Sequence, residues 1–304
     1  MEQVKDFEIR KGIQVEELSR QMSLSGGFSA KKIATGIDIV KDMTKDNECV
    51  NFLSFPADII ATGTRGVIRD FDKEKIFDVH VTTCGTLDHD LARSFKDYYH
   101  GSFEMDDAEL HKKGVNRLGN VLVPNDSYGL IIEDKMRAFL KEMTSEKKNL
   151  LSTHEFCWEL GKRIGNKESI LYWSWKNKIP VVVPGITDGA VGYQIWQYSQ
   201  NHDFKIDLMK DETLLSDLVW NSKRTGALMI GGGISKHHVI WWNQFRKGLD
   251  FAVFITTAAE YDGSLSGART QEAISWGKIK ERAKHVTIDG DATVILPIIL
   301  SSIL

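Results

Sequence analysis

From about Val50 onward the chain alternates short apolar runs with longer stretches whose apolar positions recur at helical spacing. The runs Val50–Phe55, Phe77–Thr83, Ile179–Val183, Phe204–Leu208, Ala227–Ile230, Phe251–Ile255 and Val286–Ile288 read as strands. Helical periodicity falls near 58–70, 86–98, 129–145, 153–164, 168–177, 190–200, 212–224, 235–248, 269–283 and 291–304. Strands alternating with helices in this way predict βαβ units, hence an α/β fold with one doubly wound, Rossmann-like, mostly parallel sheet covered by helices on both faces. Before Val50 the pattern is different. Residues 1–48 are rich in charge, with one amphipathic helix around Val15–Met22, a Ser-Gly-Gly turn at 25–27 and a second helix near 30–43. The division expected from this change is an N-terminal helical extension, 1–48, packed outside the sheet of a main domain, 49–304.

Several of the predicted strands end in small, polar or glycine residues. These are Thr82-Thr83-Cys84-Gly85, Gly185-Ile186-Thr187-Asp188-Gly189, Gly231-Gly232-Gly233 and Thr256-Thr257. Carboxyl ends of parallel strands share one edge of a sheet, so these loops are expected to converge there, where open α/β sheets bind ligands. Tight turns also use small residues for structural reasons alone. It is the recurrence at strand ends that points to a cofactor crevice.

Composition narrows the class without naming a function. With 42% apolar and 27% charged residues the chain is an ordinary globular one, and a net charge of -3 gives no bulk attraction to nucleic acid or anionic membrane. Cys49, Cys84 and Cys157 show neither a CxxC spacing nor a disulfide framework, which fits a reduced, cytoplasmic setting. The charged Met1–Lys11 stretch does not resemble a signal peptide. Val294–Leu304 is apolar but only about half of what a bilayer span requires, and reads as a buried terminal helix.

Candidate chemistry concentrates in Gly226–Lys280. Gly231–Gly233 precedes Ser235, a suitable helix N-cap, and glycines beside a helix N-terminus allow close approach of a phosphate. The spacing is neither GxGxxG nor a P-loop. Asp188 and Asp291 sit in short turns where a carboxylate can accept hydrogen bonds from a ribose, or simply cap a turn or helix. His237 and His238 are adjacent on a helix, about 100° apart, so at most one faces the crevice. Without further ligands at metal spacing, no metal site is expected. Lys278 stands beside Trp276, with Glu272 nearby in sequence. Burial against an aromatic wall favours the neutral, nucleophilic amine, the indole attracts cationic amines, and the acid supplies a counter-charge. The plain alternative is a surface lysine in a charged helix end.

The segments Gly231-Gly232-Gly233-Ile234-Ser235-Lys236-His237-His238, Tyr261 to Arg269 and Glu272-Ala273-Ile274-Ser275-Trp276-Gly277-Lys278 together resemble deoxyhypusine synthase. So do Arg117–Asn125, Ile186–Gly189 and Gly290–Ala292, in the family's order and over roughly residues 50–304, and the short loops look like an archaeal member. The resemblance implies an NAD-dependent transferase. It would move the 4-aminobutyl group of spermidine, through an imine on Lys278, to a lysine of the archaeal counterpart of eukaryotic initiation factor five-A. It also implies a homotetramer with active sites at subunit interfaces.

Carried over by position, the family's cofactor contacts fall on Ala57 and Ala61 at the ends of one stretch, on Thr83, Cys84 and Gly85, on Asp188, Gly232, Thr257, Ala258 and Asp262, and on Asp291 and Ala292. Amine contacts fall on Asp88, His237, Gly263, Ser264, Glu272 and Trp276, with His237 and Lys278 as the catalytic pair. Tyr193 and Leu265 stand where eukaryotic members carry acids, and His89 where they have a glutamate. The amine is therefore expected to sit differently or to be another one, such as agmatine. Two further readings are a related aminobutyl transferase acting on a free amine, as in homospermidine synthesis, and a non-catalytic NAD-binding subunit.

Overall fold

The computed structural model describes residues 1–304. They form two compact units: Met1–Phe55 with Ile76–Val81 and Leu214–Leu304, and Pro56–Lys75 with Thr82–Thr213. This division does not follow the 48/49 boundary suggested by the charge pattern, because residues 1–48 pack within the first unit.

The first unit is built on five parallel strands in the order Ile279–Asp289, Leu249–Thr256, Arg224–Ile230, Cys49–Ser54, Val79–Val81. The three central strands are almost wholly buried, as parallel strands covered on both faces must be. Helix Phe28–Lys45 lies on one face. A Cβ on Gly36 would come within 2.6 Å of Ile288 and 3.3 Å of Val253, so the glycine is what lets this helix approach the sheet. Helix Gly233–Gln244 lies on the other face, where Lys236 covers the ring of Phe254. Val253 and Phe254 are neighbours on one strand and point to opposite faces, so the sheet is doubly covered. The N-terminal segment is thus one layer of the α/β unit, not an appendage outside it.

The second unit is largely helical. Its core joins Cys84, Leu87 and Leu91 to Met136, Phe156 and Leu160. A small antiparallel sheet, Tyr99–His100, Val121–Pro124 and Val115–Leu118, stands beside this core in the chain. Its hairpin turns at Gly119-Asn120, with Gly119 at φ +58°. Helix Thr153–Ile164 opens with a Ser152–Glu155 capping box and closes on Gly165 in the left-handed conformation.

One expectation is corrected. The stretch read as one helix over 269–283 is a short helix, Thr270–Ser275, followed by the strand Ile279–Asp289. Its Lys-Glu-Arg-Ala-Lys run has helix-forming residues, but it occupies the outer strand of the first unit, where charges are tolerated and discourage further pairing. Arg117–Asn125, noticed only as a motif, is mostly hairpin.

A candidate active site around Lys278

The backbone around Lys278 is set by the end of a helix. Helix Thr270–Ser275 is tied to the sheet where the Thr270 amide donates to Thr287 Oγ1 at 3.1 Å. It ends when Gly277 adopts φ +67°, the Gly277 N–H bonds the Ile274 carbonyl at 2.9 Å, and the Lys278 N–H bonds the Ala273 carbonyl at 2.9 Å. This paired closure is a Schellman turn, which calls for glycine at position 277. Lys278 then enters the sheet, its carbonyl accepting from the Leu249 N–H at 3.0 Å.

Trp276 and Lys278 thus flank a glycine, and the Lys278 ammonium lies 5.4 Å from the indole ring centroid. The indole is 64% exposed, so one of its faces is open to a ligand. Lys278 itself is half-buried. Together with Lys236, Leu265, Ala268, Glu272 and Trp276 it lines a cavity of about 180 Å³. His237 is exposed at the first turns of helix Gly233–Gln244 and stacks on Trp241. Desolvation holds its imidazole below the ordinary range, with the nearby charge of Lys278 adding to the effect. A neutral imidazole beside an amine is suited to accept a proton.

The strand-end residues of the first unit share one edge, as expected. Register pairs Ile230 with Ile255 and Thr256 with Asp289, so Gly231–Gly233, Thr257-Ala258 and Gly290–Ala292 succeed one another along it. Gly232 has a further constraint: a Cβ there would lie 2.3 Å from Ser266 Oγ and 2.5 Å from the Ser266 backbone nitrogen. Asp262 accepts from the Ser264 amide at 2.7 Å across the Gly263 turn at φ +69°, and hydrogen bonding from the Ser264 side chain and then from that amide holds its carboxyl below the usual range. Asp291 caps the terminal helix by accepting from Thr293 N–H at 2.8 Å, and Ala292 is buried behind it. Ser235 is not the helix cap the sequence suggested. The helix begins at Gly233, no side chain caps it, and the Ser235 hydroxyl donates back to the Gly232 carbonyl. Its first amides therefore have no side-chain acceptor, and the dipole there favours an anion.

In the second unit, Ala57, Gly85, Cys84 and Asp88 come together. A Cβ on Gly85 would meet Ala57 at 2.8 Å, and one on Gly189 would meet Cys84 Sγ at 2.7 Å and Asp88 Oδ2 at 2.8 Å. Thr83 precedes helix Cys84–Arg93, which also lacks a side-chain cap, and Ala61 is buried at the end of the 3₁₀ turn that follows Ala57. Asp188 is exposed in the turn ahead of Gly189. Asp88 is different from the expectation of an amine contact. It is 1% exposed, and its oxygens accept from Ala190 N–H, Val191 N–H and the Tyr128 hydroxyl at 2.9, 2.7 and 2.8 Å. Burial pushes this carboxyl above its ordinary range. Its oxygens are taken up in holding the start of helix Ala190–Ser199. Tyr193, on that helix, is 53% exposed and packs on Trp196.

Sequence reasoning passed over two participants. Tyr128 carries no motif and is found only by its contact with Asp88. Lys236 was seen within a motif but given no role, although it is the one lysine among the largest fully buried side chains.

The model of the deoxyhypusine synthase family matches residues 17–303. The chain is 58% identical over 304 residues to a probable deoxyhypusine synthase of Picrophilus torridus, covering all of this chain and 97% of that one. The chain belongs to the deoxyhypusine synthase family. A probable deoxyhypusine synthase of Thermoplasma acidophilum is 54% identical, with 99% of this chain and 97% of that one aligned. Among solved structures, a candidate deoxyhypusine synthase from Entamoeba histolytica superposes with a TM-score of 0.66 over 98% of this chain and 96% of that one, at 21% identity. A chain of AgrE solved with ornithine and NAD+ shares the fold at a TM-score of 0.55 and 13% identity, over 91% of this chain and 34% of that one. As a deoxyhypusine synthase family member the protein is an enzyme that transfers an aminobutyl group in forming deoxyhypusine. No helix is long and apolar enough to cross a membrane.

Proposed function

We propose that the protein transfers the 4-aminobutyl group of spermidine, by way of Lys278, to a lysine of a translation factor of the initiation factor five-A kind, with NAD as its cofactor. The observation that carries the reading is the Lys278 amine beside an exposed indole in a small cavity that also holds Glu272. The indole face and the carboxylate suit a cationic chain, and the amine suits imine exchange.

NAD, when bound, supplies a hydride acceptor at the start and returns the same hydride at the end, so the overall transfer involves no net oxidation. The uncapped amides at Gly233 suit its phosphates, and the open space where a Cβ on Gly233 would stand allows their close approach. Once the spermidine carbon beside the secondary nitrogen has been oxidised to an imine, the Lys278 amine adds to that carbon. The carbon–nitrogen bond to 1,3-diaminopropane then breaks, leaving the aminobutyl group as an imine on Lys278. The acceptor lysine repeats the exchange, frees Lys278, and its own imine is reduced to the secondary amine of deoxyhypusine. The part of taking and returning the protons these exchanges require falls in this reading to His237, whose depressed basicity supports it. A homotetramer is part of the same reading.

Tyr193 and Leu265 favour a second donor, agmatine, since both positions lack the acids that hold spermidine in eukaryotic members. Incubation with NAD, the purified factor and each amine in turn, followed by the mass of the factor, separates the donors. A gain of one aminobutyl group with spermidine supports the first reading, a gain only with agmatine replaces it, and no gain with either removes the protein acceptor.

A further inference from the structure

We propose that Lys236 is a positioning residue for the Lys278 site, fastening the Ser264–Arg269 turn to the sheet so that the turn forms a fixed wall of the amine cavity. Lys236 is 1% exposed and its ammonium donates to the carbonyls of Leu265 and Ala268 at 2.8 and 3.0 Å. The same nitrogen lies 3.9 Å from the centroid of the Phe254 ring, whose strand belongs to the sheet. One side chain therefore links helix Gly233–Gln244, the central sheet and the turn.

Lys236 grips the turn at Leu265 and Ala268, between its two ends. The Gly267 and Ala268 amides close it on the Ser264 carbonyl, at 3.1 and 3.2 Å; its near end is held by Asp262 and its far end by Arg269, which pairs with Glu260 and with Asp289 of the sheet. Leu265 and Ala268 line the cavity with Lys278, and Ser266 abuts Gly232 too closely to admit a Cβ. A buried cation is costly unless carbonyls or an aromatic face replace its water, and both do so here. Desolvation still lowers the amine to about 8, opposed by the Glu272 carboxylate and reinforced by the Arg269 guanidinium, both from the neighbouring segment. A leucine or methionine would fill the same space without that cost. The lysine's distinctive contribution is its grip on two carbonyls of the turn.

The inference rests on the proposal that Lys278 carries the aminobutyl group, and its test separates the two. Hydrogen exchange is followed in wild type, Lys236→Met and Lys236→Arg, together with borohydride trapping of labelled spermidine over a range of amine concentrations. In Lys236→Met the Gly267 and Ala268 amides are expected to exchange at least tenfold faster while the core of helix Gly233–Gln244 keeps its protection. The amine concentration for half-maximal trapping is expected to rise about ten- to hundredfold, the scale of a lost charge-assisted hydrogen bond. The rate at saturation should change far less, and Lys236→Arg, which keeps donors, should recover part of the loss. Unchanged exchange at Gly267 and Ala268, or unchanged half-saturation, overturns the positioning role. If Lys236→Met does not fold, the Lys236→Arg exchange pattern and half-saturation decide; if neither folds, a general core role replaces this one. Loss of trapping on Lys278 in wild type would instead remove the functional reading and leave the exchange result standing.

Discussion

The Lys278 ammonium sits 5.4 Å from the centroid of the Trp276 ring, and the residue between them is a glycine at φ +67°. Two side chains separated by one residue are placed on the same cavity because the helix ends in a left-handed turn at that point. The Trp-Gly-Lys order is therefore a structural statement as much as a chemical one: the glycine turns the chain, and the lysine leaves the turn into a strand.

Gly277→Ala tests that dependence. Adding a Cβ at positive φ costs about 1 kcal/mol, with no neighbour within 4 Å to clash with it. Urea unfolding should show a loss of that size, while aminobutyl transfer should fall by more than the stability change explains. Full activity in a destabilised variant would show that the turn does not aim Lys278.

Gly232→Ala should be worse and not repairable from the side-chain side. The added methyl would stand 2.3 Å from Ser266 Oγ, but also 2.5 Å from its nitrogen and 2.7 Å from its Cα. Overpacking of this sort costs about 1–3 kcal/mol. Because backbone is in the way, Gly232→Ala with Ser266→Gly should recover little of the midpoint in urea; full recovery would place the clash in the hydroxyl alone.

Asp88 separates a structural carboxylate from a substrate contact. Asp88→Ala leaves Ala190 N–H, Val191 N–H and the Tyr128 hydroxyl without their acceptor, and should cost about 1–3 kcal/mol or more in unfolding. A variant of unchanged stability whose half-saturating amine concentration rises would restore the reading of Asp88 as an amine contact.

The buried Lys236 also makes a pH prediction. Its folded-state value, about 8, lies below the 10.5 of the unfolded chain. Between those values the unfolded state binds more protons, so stability from this group increases as pH rises through about 8 to 10.5. Below pH 8 the full burial penalty is present in wild type and absent in Lys236→Met. The stability difference between the two proteins, measured by urea unfolding at pH 7 and at pH 10, should move in favour of wild type at the higher pH. No change, or a change of opposite sign, would contradict an ammonium buried at a cost.

Much of this architecture was legible in advance because local rules and tertiary needs agree. Helices 129–145 and 153–164 fall where the periodicity placed them, the second bounded by its capping box and its Gly165. The strand-end loops of the first unit share one edge because parallel strands leave them no other. The outer strand Ile279–Asp289 was hidden by its charges: Glu281 and Arg282 face solvent at an edge, where propensity says helix and pairing decides otherwise. The hairpin at Gly119-Asn120 did carry a signal, a two-residue glycine turn between valine-rich runs, too short to compete with a motif. Asp88 and Lys236 could not be assigned from sequence. Their roles lie in contacts with residues far along the chain, Ala190 and Val191 for one, Leu265 and Ala268 for the other.

The central claim is that Lys278 carries the transferred group. Wild type and Lys278→Ala, each with NAD and spermidine labelled in the butyl portion, are treated with borohydride and digested, and the labelled peptide is sequenced. The account expects label on Lys278 in wild type and none in Lys278→Ala, with NAD binding retained in both. Equal labelling of Lys278→Ala would contradict it.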